Sequence, residues 1–246
     1  VSQLNGGFGF NYRYAMGVPD YWIRLIKDFK DEYWPTGHLW FELTNRRTEE
    51  KTISYAESHD QALVGDQTLI FRLIGENMYH HMGIDDDNSK VARGIALHKM
   101  IRLITLSTAS NGYLNFMGNE FGHPDWIDFP REGNNWSFKH AHRQWHLADD
   151  THLKYHLLAR FDHDMIALAK THNLLETSDL QLLHEDSAKK VIAFTRADLI
   201  FVFNFNPHQS FVDYRFEAPS GKYHMVLDCD AEKYSGHGRL NPQQTH

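Results

Sequence analysis

Two apolar stretches of the chain turn polar at their carboxyl ends. Residues 52–56 have the β-branched and aromatic composition of a strand, and they continue into Glu-Ser-His-Asp-Gln at residues 57–61. Residues 112–117 form a second apolar strand candidate, which continues into Asn119 and Glu120. In parallel α/β barrels the chemistry lies on the loops that follow the strands, so these polar ends are the first candidates for a site. An ordinary strand that ends in a polar turn has the same pattern, and both interpretations stay open at this point.

Apolar residues at helical spacing fill the intervals between these strands. The first predicted helix is opened by Pro19, which suits a first helical turn, and is ended by the Trp34-Pro35 dipeptide. An aromatic run at residues 8–12 is predicted to be a further strand. The resulting order of strand, helix, strand, helix, strand predicts a parallel sheet with right-handed crossovers. The predicted helices cover residues 19–33, 68–82, 91–109 and 153–169.

The pattern changes near residue 176 to short runs of alternating apolar and polar positions. Glycine, proline and polar turns separate these runs, which is typical of an antiparallel sheet. We therefore predict an α/β domain over residues 1–175 and an all-β domain, a sandwich, over residues 176–246. The predicted strands of the second domain lie at residues 191–194, 199–205, 211–214 and 223–227.

Composition and charge narrow the function classes. The chain has 246 residues and a net charge of −7, which argues against binding to nucleic acid, because that needs clustered cations. No run of roughly eighteen apolar residues is present, so we expect no membrane span and no membrane partner. Cys229 is the only cysteine, which favours a reducing compartment such as the cytoplasm. There is no signal peptide, and the sequence opens at Val1 without an initiator methionine, so we expect a fragment of a longer chain.

Two clusters look at first like metal sites. The acidic stretch at residues 85–89 has Lys90 where a calcium loop needs glycine and Ala96 where it needs a bidentate glutamate, so we predict a solvated loop and helix cap. Three histidines further along lack the supporting partners of a zinc site and are expected at the surface. No metal and no organic cofactor are therefore expected. These histidines are His140, His142 and His146.

Several long motifs follow one another along the chain. They are YAESHDQALVGD at residues 55–66, ARGIALHKMIRLI at 92–104, GYLNFMGNEFGHP at 112–124 and DFPREGNN at 128–135. Together they resemble the 1,4-α-glucan (glycogen or starch) branching enzymes of the α-amylase superfamily, and the first resembles the fourth signature region of that family. The resemblance covers nearly the whole chain and is densest between residues 55 and 135.

The resemblance implies a fold and a reaction. The fold would be the last three strand–helix units of a (β/α)8 barrel, followed by an incomplete antiparallel β-sandwich. The reaction would be a retaining transfer of an α-1,4 glucan chain to a 6-hydroxyl, which makes an α-1,6 branch. Asp60 matches the family's transition-state stabiliser, and His59 matches the histidine that contacts the sugar. Glu57, Asn119 and Glu120 are expected on the substrate side of the site.

The nucleophilic aspartate and the acid/base glutamate of that family have no counterpart here. Both are expected upstream of Val1, so the isolated chain is predicted to be inactive and poorly stable. Arg196 and Asp198 imitate the spacing of the nucleophile motif, but they fall among the alternating runs, and we interpret them as a coincidence. The implied partners are an α-glucan, either glycogen or amylose and amylopectin, and the missing N-terminal part of the same enzyme.

Two alternative functions stay open. An amylase-like hydrolase would use water as the acceptor in place of a glucan hydroxyl. A non-catalytic fragment would bind carbohydrate through Trp126, Trp136 and the β domain, since aromatic rings suit the apolar faces of sugars. The sequence favours the cytoplasm, and a plastid would fit a plant source.

Overall fold

The computed structural model of the chain describes residues 3–47, 50–65, 67–124 and 127–246. The chain divides into two compact units. Unit 1 comprises Val1–Ala56, Arg102–Leu114 and Ala169–Pro219, and unit 2 comprises Glu57–Ile101, Asn115–Leu168 and Ser220–His246. The boundary expected between residues 175 and 176 stays a prediction.

A parallel sheet of three short strands lies in unit 1. Strand β1 is Arg13–Tyr14, β2 is Thr52–Ser54 and β3 is Gly112–Tyr113, in the order β1-β2-β3. Both strand pairs are parallel, with Ile53 opposite Tyr14 on one side and opposite Gly112 on the other. A Cβ atom at Gly112 would lie 3.0 Å from the Ile53 side chain, so glycine allows this close approach. The parallel pairing predicted from the alternation of elements is confirmed.

The first strand and the first helix differ from their predictions. Residues 8–12 form no strand, because Gly9 has a φ of 78°, which is incompatible with continuous extended backbone, and Phe8 and Phe10 are exposed. Helix α1, Gly17–Asp28, ends before Phe29, which is also exposed. Proline follows Trp34 at the N-cap of a second helix, α2, Thr36–Thr44, so the dipeptide precedes a helix that the sequence analysis missed.

The three-stranded antiparallel sheet of unit 1 joins these helices in an aromatic core. Strands β4, Gln181–Asp186, β5, Val191–Arg196, and β6, Leu199–Asn204, pair in sequence order. The ring of Trp40 in α2 lies 5.1 Å from that of Phe194 in β5, measured between centroids. The antiparallel sheet was predicted, but β4 was not, because its exposed and half-buried residues resemble a polar loop.

The remaining predicted strands do not form within the described residues. Residues 211–214 and 223–227 contain no strand, and His224 makes only an isolated bridge with Thr245. The described part of the chain thus has one antiparallel sheet, and the second sheet of a sandwich stays a prediction.

Unit 2 is helical. It contains α3, Leu69–Ile74, α5, Trp145–Asp149, and the larger parts of α4, Ser89–Thr108, and α6, Tyr155–Thr171. The helix predicted over residues 68–82 is thus shorter and continues as a 3-10 turn. Short helical turns are also present among the described residues: the 3-10 segments Gln3–Asn5, Asp31–Tyr33, Gly75–Tyr79, Glu132–Asn134 and Glu232–Tyr234, and a π-helical turn at Asp60–Gly65. The buried core comprises Ile70, Ile74, Met78, Met82, Val91, Ile95, Phe121, Tyr155 and Leu158.

The acidic loop before α4 is a helix cap. The side chain of Asn88 accepts a hydrogen bond from the Val91 backbone N–H at 3.0 Å, which satisfies one of the free donors at the start of the helix. The Lys154 ammonium donates to the carbonyl oxygens of Gly83 and Asp86, the second at 2.8 Å. Lys154 therefore binds one main-chain carbonyl group in this loop and one just before it. No helix in the described ranges is both long and apolar enough to cross a bilayer.

Candidate functional site

The turn that follows β2 in the chain is closed by its own side chains. The backbone N–H and hydroxyl of Ser58 both donate to the Gln61 side-chain oxygen, at 3.0 and 2.9 Å. The Asp60 N–H in turn donates to the Ser58 hydroxyl at 3.2 Å. These bonds fix the backbone on both sides of His59. The carboxylate of Asp60 is left outside this network.

Asp60 and His59 are accessible from solvent. Their side chains are 55% and 58% exposed, and His59 Nε2 lies 3.3 Å from an Asp60 carboxylate oxygen. The carboxylate is therefore reachable by a molecule outside the chain. The imidazole beside it offers a second polar group at the same place.

Glu57 has the opposite environment. It is only 1% exposed, and its carboxylate accepts a hydrogen bond from the Leu69 N–H at 2.6 Å, at the start of α3. Free N–H groups and the positive end of the helix dipole favour a carboxylate at this position. The Thr68 hydroxyl caps the same helix by accepting from the Phe71 N–H at 3.4 Å. The hydrogen bond of the Glu57 carboxylate thus links the turn after β2 to the start of α3.

A second turn, residues 116–123, contains the other two candidates. Glu120 accepts a hydrogen bond from the Gly118 N–H at 2.7 Å, and it is half-buried. Asn119 is buried, and its N–H donates to the Phe116 carbonyl at 2.9 Å. Gly118 has a φ of 106°, and a Cβ atom there would lie 2.8 Å from Arg143 Nε. This turn therefore depends on a glycine at its centre.

Arg143 contacts the second of these turns, and no pattern in the sequence marks it among the histidines at residues 140–146. Its Nε donates to the Met117 carbonyl, and its guanidinium lies 4.8 Å from the centre of the Phe116 ring. Burial lowers the pKa of Arg143, whereas the negative charges of Glu120 and Glu57 favour its charged form. The arginine therefore interacts electrostatically with a carboxylate from each turn.

Arg143 also lines a cavity of about 390 Å³. The wall is mostly apolar, and it includes Leu63 from the π-helical turn together with Met117 and Phe129. The turn of residues 116–123 is also fixed by a hydrogen bond in which His123 Nε2 accepts from the Gln144 backbone N–H at 3.0 Å. A mostly apolar cavity with an arginine in its wall is suited to a ligand that has both polar groups and apolar faces.

A second cavity is lined by residues that are distant from these candidates in sequence. It measures about 700 Å³ and lies in unit 1, with His184, Asp186 and Tyr214 in its wall. The Tyr214 hydroxyl donates to Asp186 at 3.1 Å and lies 2.7 Å from His184 Nε2, so these polar groups satisfy one another. None of the predicted site residues lines it.

Four other residues were named from the sequence as sugar-binding candidates or as an imitation of a catalytic motif: Trp126, Trp136, Arg196 and Asp198. Trp136 is exposed, and Trp126 lies outside the described residues. Asp198 is exposed and pairs with His172, whereas Arg196 is fully buried and donates to main-chain carbonyls. The described residues contain no group of three or more His, Cys, Asp or Glu side chains that could hold a metal ion.

Comparison with known proteins first indicates a class. A family model described as the α-amylase C-terminal all-beta domain matches residues 182–246, which include β5, β6 and most of β4. The end of the chain is therefore similar to the C-terminal all-beta domain of α-amylases.

The relatives are more specific. The chain is 53% identical over 98% of its length to the 1,4-alpha-glucan-branching enzyme of Felis catus, covering 34% of that protein. It is 51% identical to the enzyme of that name from Yarrowia lipolytica, over 98% of this chain and 35% of the relative. The chloroplastic/amyloplastic enzyme of Oryza sativa is 47% identical, over 98% of this chain and 30% of the relative. The similarity to branching enzymes predicted from the motifs is thereby confirmed, and the chain spans about a third of the length of these curated relatives.

Proposed function

We propose that the chain is a segment of a 1,4-α-glucan branching enzyme, which cleaves an α-1,4 glucan and transfers it to a 6-hydroxyl. The observation that carries this proposal is the identity of 53% over 98% of the chain to an enzyme of that name. The parallel strands β1–β3 would then be the last strands of a (β/α)8 barrel ending near residue 175. The antiparallel strands would be part of a C-terminal β-sandwich.

In this proposal Asp60 stabilises the transition state. Glycosyl transfer with retention builds positive charge on the sugar ring, and nearby carboxylates lower the energy of that charge. Asp60 suits this role because its carboxylate is accessible while the Ser58–Gln61 hydrogen bonds fix its backbone. His59 would contact the same sugar. The nucleophile and the acid/base glutamate would come from polypeptide that precedes Val1.

Asn119 and Glu120 would lie on the substrate side, and Glu57 would act through the turn. Asn119 is buried in the turn of residues 116–123, so its contribution would be to shape that turn. Glu120 is half-buried and keeps one carboxylate oxygen on the Gly118 N–H, which leaves the other oxygen for a sugar hydroxyl. The substrate would be glycogen, amylose or amylopectin.

The test is a product assay on the full-length polypeptide with amylose. We expect new α-1,6 linkages without a matching increase in reducing ends. Reducing ends without α-1,6 linkages would indicate an amylase-like hydrolase, and glucan binding without either product would indicate a binding protein. The isolated chain is expected to be inactive, with no more loss of iodine absorbance from amylose than an Asp60→Ala control.

Asp60→Asn in the full-length polypeptide tests the role of the carboxylate. Removing well-aimed electrostatic stabilisation of a transition state costs at least about 3 kcal/mol, so we expect a fall in kcat of roughly a hundredfold or more. Asp149→Asn, a change at an exposed aspartate of α5, is the matched control and should leave kcat unchanged. Activity of the Asp60 variant within about tenfold of wild type would contradict the assignment.

The compartment is a further part of the proposal. The lone cysteine favours a reducing environment, and the rice relative is named chloroplastic/amyloplastic. A cytoplasmic or a plastid location therefore fits, and imaging of a tagged full-length protein in its source cells would distinguish them.

A further inference from the structure

The cavity of about 700 Å³ in unit 1 is lined by strand β4, by the turn that follows it and by residues 208–215. Its volume lies within the range of about 300–1,000 Å³ that is typical of ligand sites in proteins. Several residues of its wall are exposed, among them Lys189, His208 and Val212. A ligand can therefore enter this cavity from solvent.

Two aromatic rings stand side by side in the cavity wall. The centroids of Phe211 and Tyr214 are 5.4 Å apart, and both side chains are half-buried, so part of each ring stays accessible. The Lys189 ammonium lies 5.0 Å from the centre of the Tyr214 ring and 5.9 Å from that of Phe211. Apolar ring surface with an N–H donor beside it suits a sugar, which has an apolar C–H face and hydroxyl groups at its edge.

Hydrogen bonds hold the Tyr214 ring in place. Its hydroxyl donates its single proton to Asp186 at 3.1 Å, so His184 Nε2, at 2.7 Å from the same oxygen, is the donor of the second bond. Asp186 is in turn held by the backbone N–H groups of Ala188 and Lys189, at 3.1 and 2.9 Å. A side chain that is already ordered loses little conformational entropy when a ligand binds, so this ring is pre-organised for stacking.

The charges of the cavity wall are balanced. The wall has two acidic side chains, Asp186 and Asp213, and two basic ones, Lys189 and Arg215, beside two histidines. A site for phosphate groups or nucleic acid needs an excess of cations, so this balance favours a neutral ligand. Lys189 Nζ lies 3.7 Å from Asp186, and its side chain is half exposed, which leaves N–H groups for hydroxyls of the ligand.

We propose that this cavity is an accessory binding site for an α-glucan chain, in which sugar rings stack on Phe211 and Tyr214 and Lys189 donates to their hydroxyls. The inference rests on the proposed function for the identity of the ligand. The site binds the polymer and takes part in no chemical step. Because an α-glucan has many sugar units, a second contact on the same polypeptide raises the apparent affinity for a long chain.

The experiment measures the dissociation constant of the full-length polypeptide for glycogen, by affinity electrophoresis in gels that contain the polymer. A ring contact is worth roughly two- to tenfold in affinity, so we expect the dissociation constant of Phe211→Ala to rise by that factor. Phe41→Ala, a change at an exposed phenylalanine of α2 outside the cavity wall, is the matched control and should bind as wild type. Equal dissociation constants for the two variants would overturn the proposal.

Val212→Asp keeps the test decisive if Phe211→Ala does not fold. Val212 is 89% exposed, so a polar side chain there leaves the fold intact. It removes apolar surface from the cavity wall and should weaken glycogen binding by roughly twofold or more. Val226→Asp, at an exposed valine of unit 2, is the matched control. Unchanged binding by Val212→Asp would contradict the site.

Failure of this inference and failure of the proposed function give different results. A wild type that makes no α-1,6 linkages would contradict the proposed function, whereas glycogen binding that depends on Phe211 would still support the accessory site. Binding that is lost in Asp60→Asn and kept in Phe211→Ala would assign all glucan binding to the turn after β2, and it would overturn the inference.

Discussion

Two arginines, one in each compact unit, are held in different ways. Arg196 in β5 is fully buried, and its Nε and Nη2 donate to the carbonyls of Leu174 and Ala109 at 2.8–3.0 Å. Arg143 in unit 2 is half-buried, binds one carbonyl through Nε and lines a cavity. Main-chain carbonyls bind Nε and Nη2 of the first side chain, and its buried Nη1 makes no hydrogen bond within the described residues. The second side chain lies partly in a cavity wall.

This difference distinguishes an arginine that stabilises the fold from an arginine that lies at a candidate site. Arg196 binds carbonyl groups just beyond the C-terminus of α4, where the helix dipole favours a cation, and Arg46 binds the Thr108 carbonyl nearby at 2.9 Å. These contacts fasten one part of unit 1 to another. Arg143 contacts Phe116 and Met117 in the turn that contains Asn119 and Glu120, two candidate site residues. We therefore expect changes at the first arginine to appear in stability and changes at the second in activity.

The largest expected effect is the loss of stability in Arg196→Met. Methionine fills most of the volume but leaves the buried carbonyls of Leu174 and Ala109 without their donor, and each unsatisfied group costs about 1–3 kcal/mol. We therefore expect the free energy of unfolding to fall by about 2–4 kcal/mol, measured by urea denaturation.

Arg215→Met is the matched control for this experiment, because Arg215 is an exposed arginine of the same unit. Its effect should stay within about 0.5 kcal/mol, as for most surface substitutions. Equal stability of the two variants would show that the carbonyl contacts of Arg196 contribute nothing, and the comparison between the arginines would fail.

The second-largest loss of stability is expected from a substitution at Gly118, which lies next to Arg143. Its φ of 106° disfavours any other residue, and an alanine Cβ would lie 2.8 Å from Arg143 Nε and 3.0 Å from His123 Cβ. We expect Gly118→Ala to lower the free energy of unfolding by about 1–3 kcal/mol and to reduce kcat, because the turn that contains Asn119 and Glu120 must shift.

Gly17→Ala is the control for Gly118→Ala, because nothing lies within 4 Å of a Cβ atom built at this first residue of α1. Alanine there should be neutral or stabilising by up to about 1 kcal/mol, since it restricts the unfolded chain. If Gly118→Ala is equally harmless in unfolding and in kcat assays, the contact with Arg143 is not tight enough to position the turn.

Sequence periodicity predicted the parallel pairing and the central antiparallel strands, because those patterns report burial directly. It overestimated the lengths of the parallel strands: Tyr55 and Ala56 are buried and apolar, yet β2 ends at Ser54. Burial makes a residue apolar whether or not its backbone joins a sheet. Periodicity also missed β4, whose side chains are exposed or half-buried.

The site was predicted only where its residues are close together in the chain. The polar turn after β2 was found from composition, and the resemblance to a family suggested a role for Asp60. The environment of Glu57 depends on the N–H of Leu69, twelve residues further along the chain, and no sequence pattern marks the two as neighbours. Such contacts are set by the folded chain, so one sequence could not indicate them.

The smallest expected effect comes from Lys99, a buried cation that pH can neutralise within a convenient range. Its ammonium donates to the carbonyls of Cys229 and Tyr234 at 2.5 and 2.6 Å. Burial lowers its pKa from 10.5 to about 8, against the opposing influence of Cys229, Asp230 and Asp228. Between pH 8 and 9 the folded chain therefore loses a proton that the unfolded chain retains, and stability must rise with pH.

We expect wild type to gain about 1 kcal/mol relative to Lys99→Met between pH 8 and 9. Burial raises the pKa of Cys229 to about 12, and ionisation of this thiol in the unfolded chain is common to both proteins, so it cancels in the difference. Arg196 provides the contrast, because burial lowers its pKa only to about 10 and the guanidinium keeps its proton over most of this range. The difference between wild type and Arg196→Met should therefore stay nearly flat. A flat difference for Lys99→Met as well would mean that its ammonium remains charged on the carbonyls, as the guanidinium does.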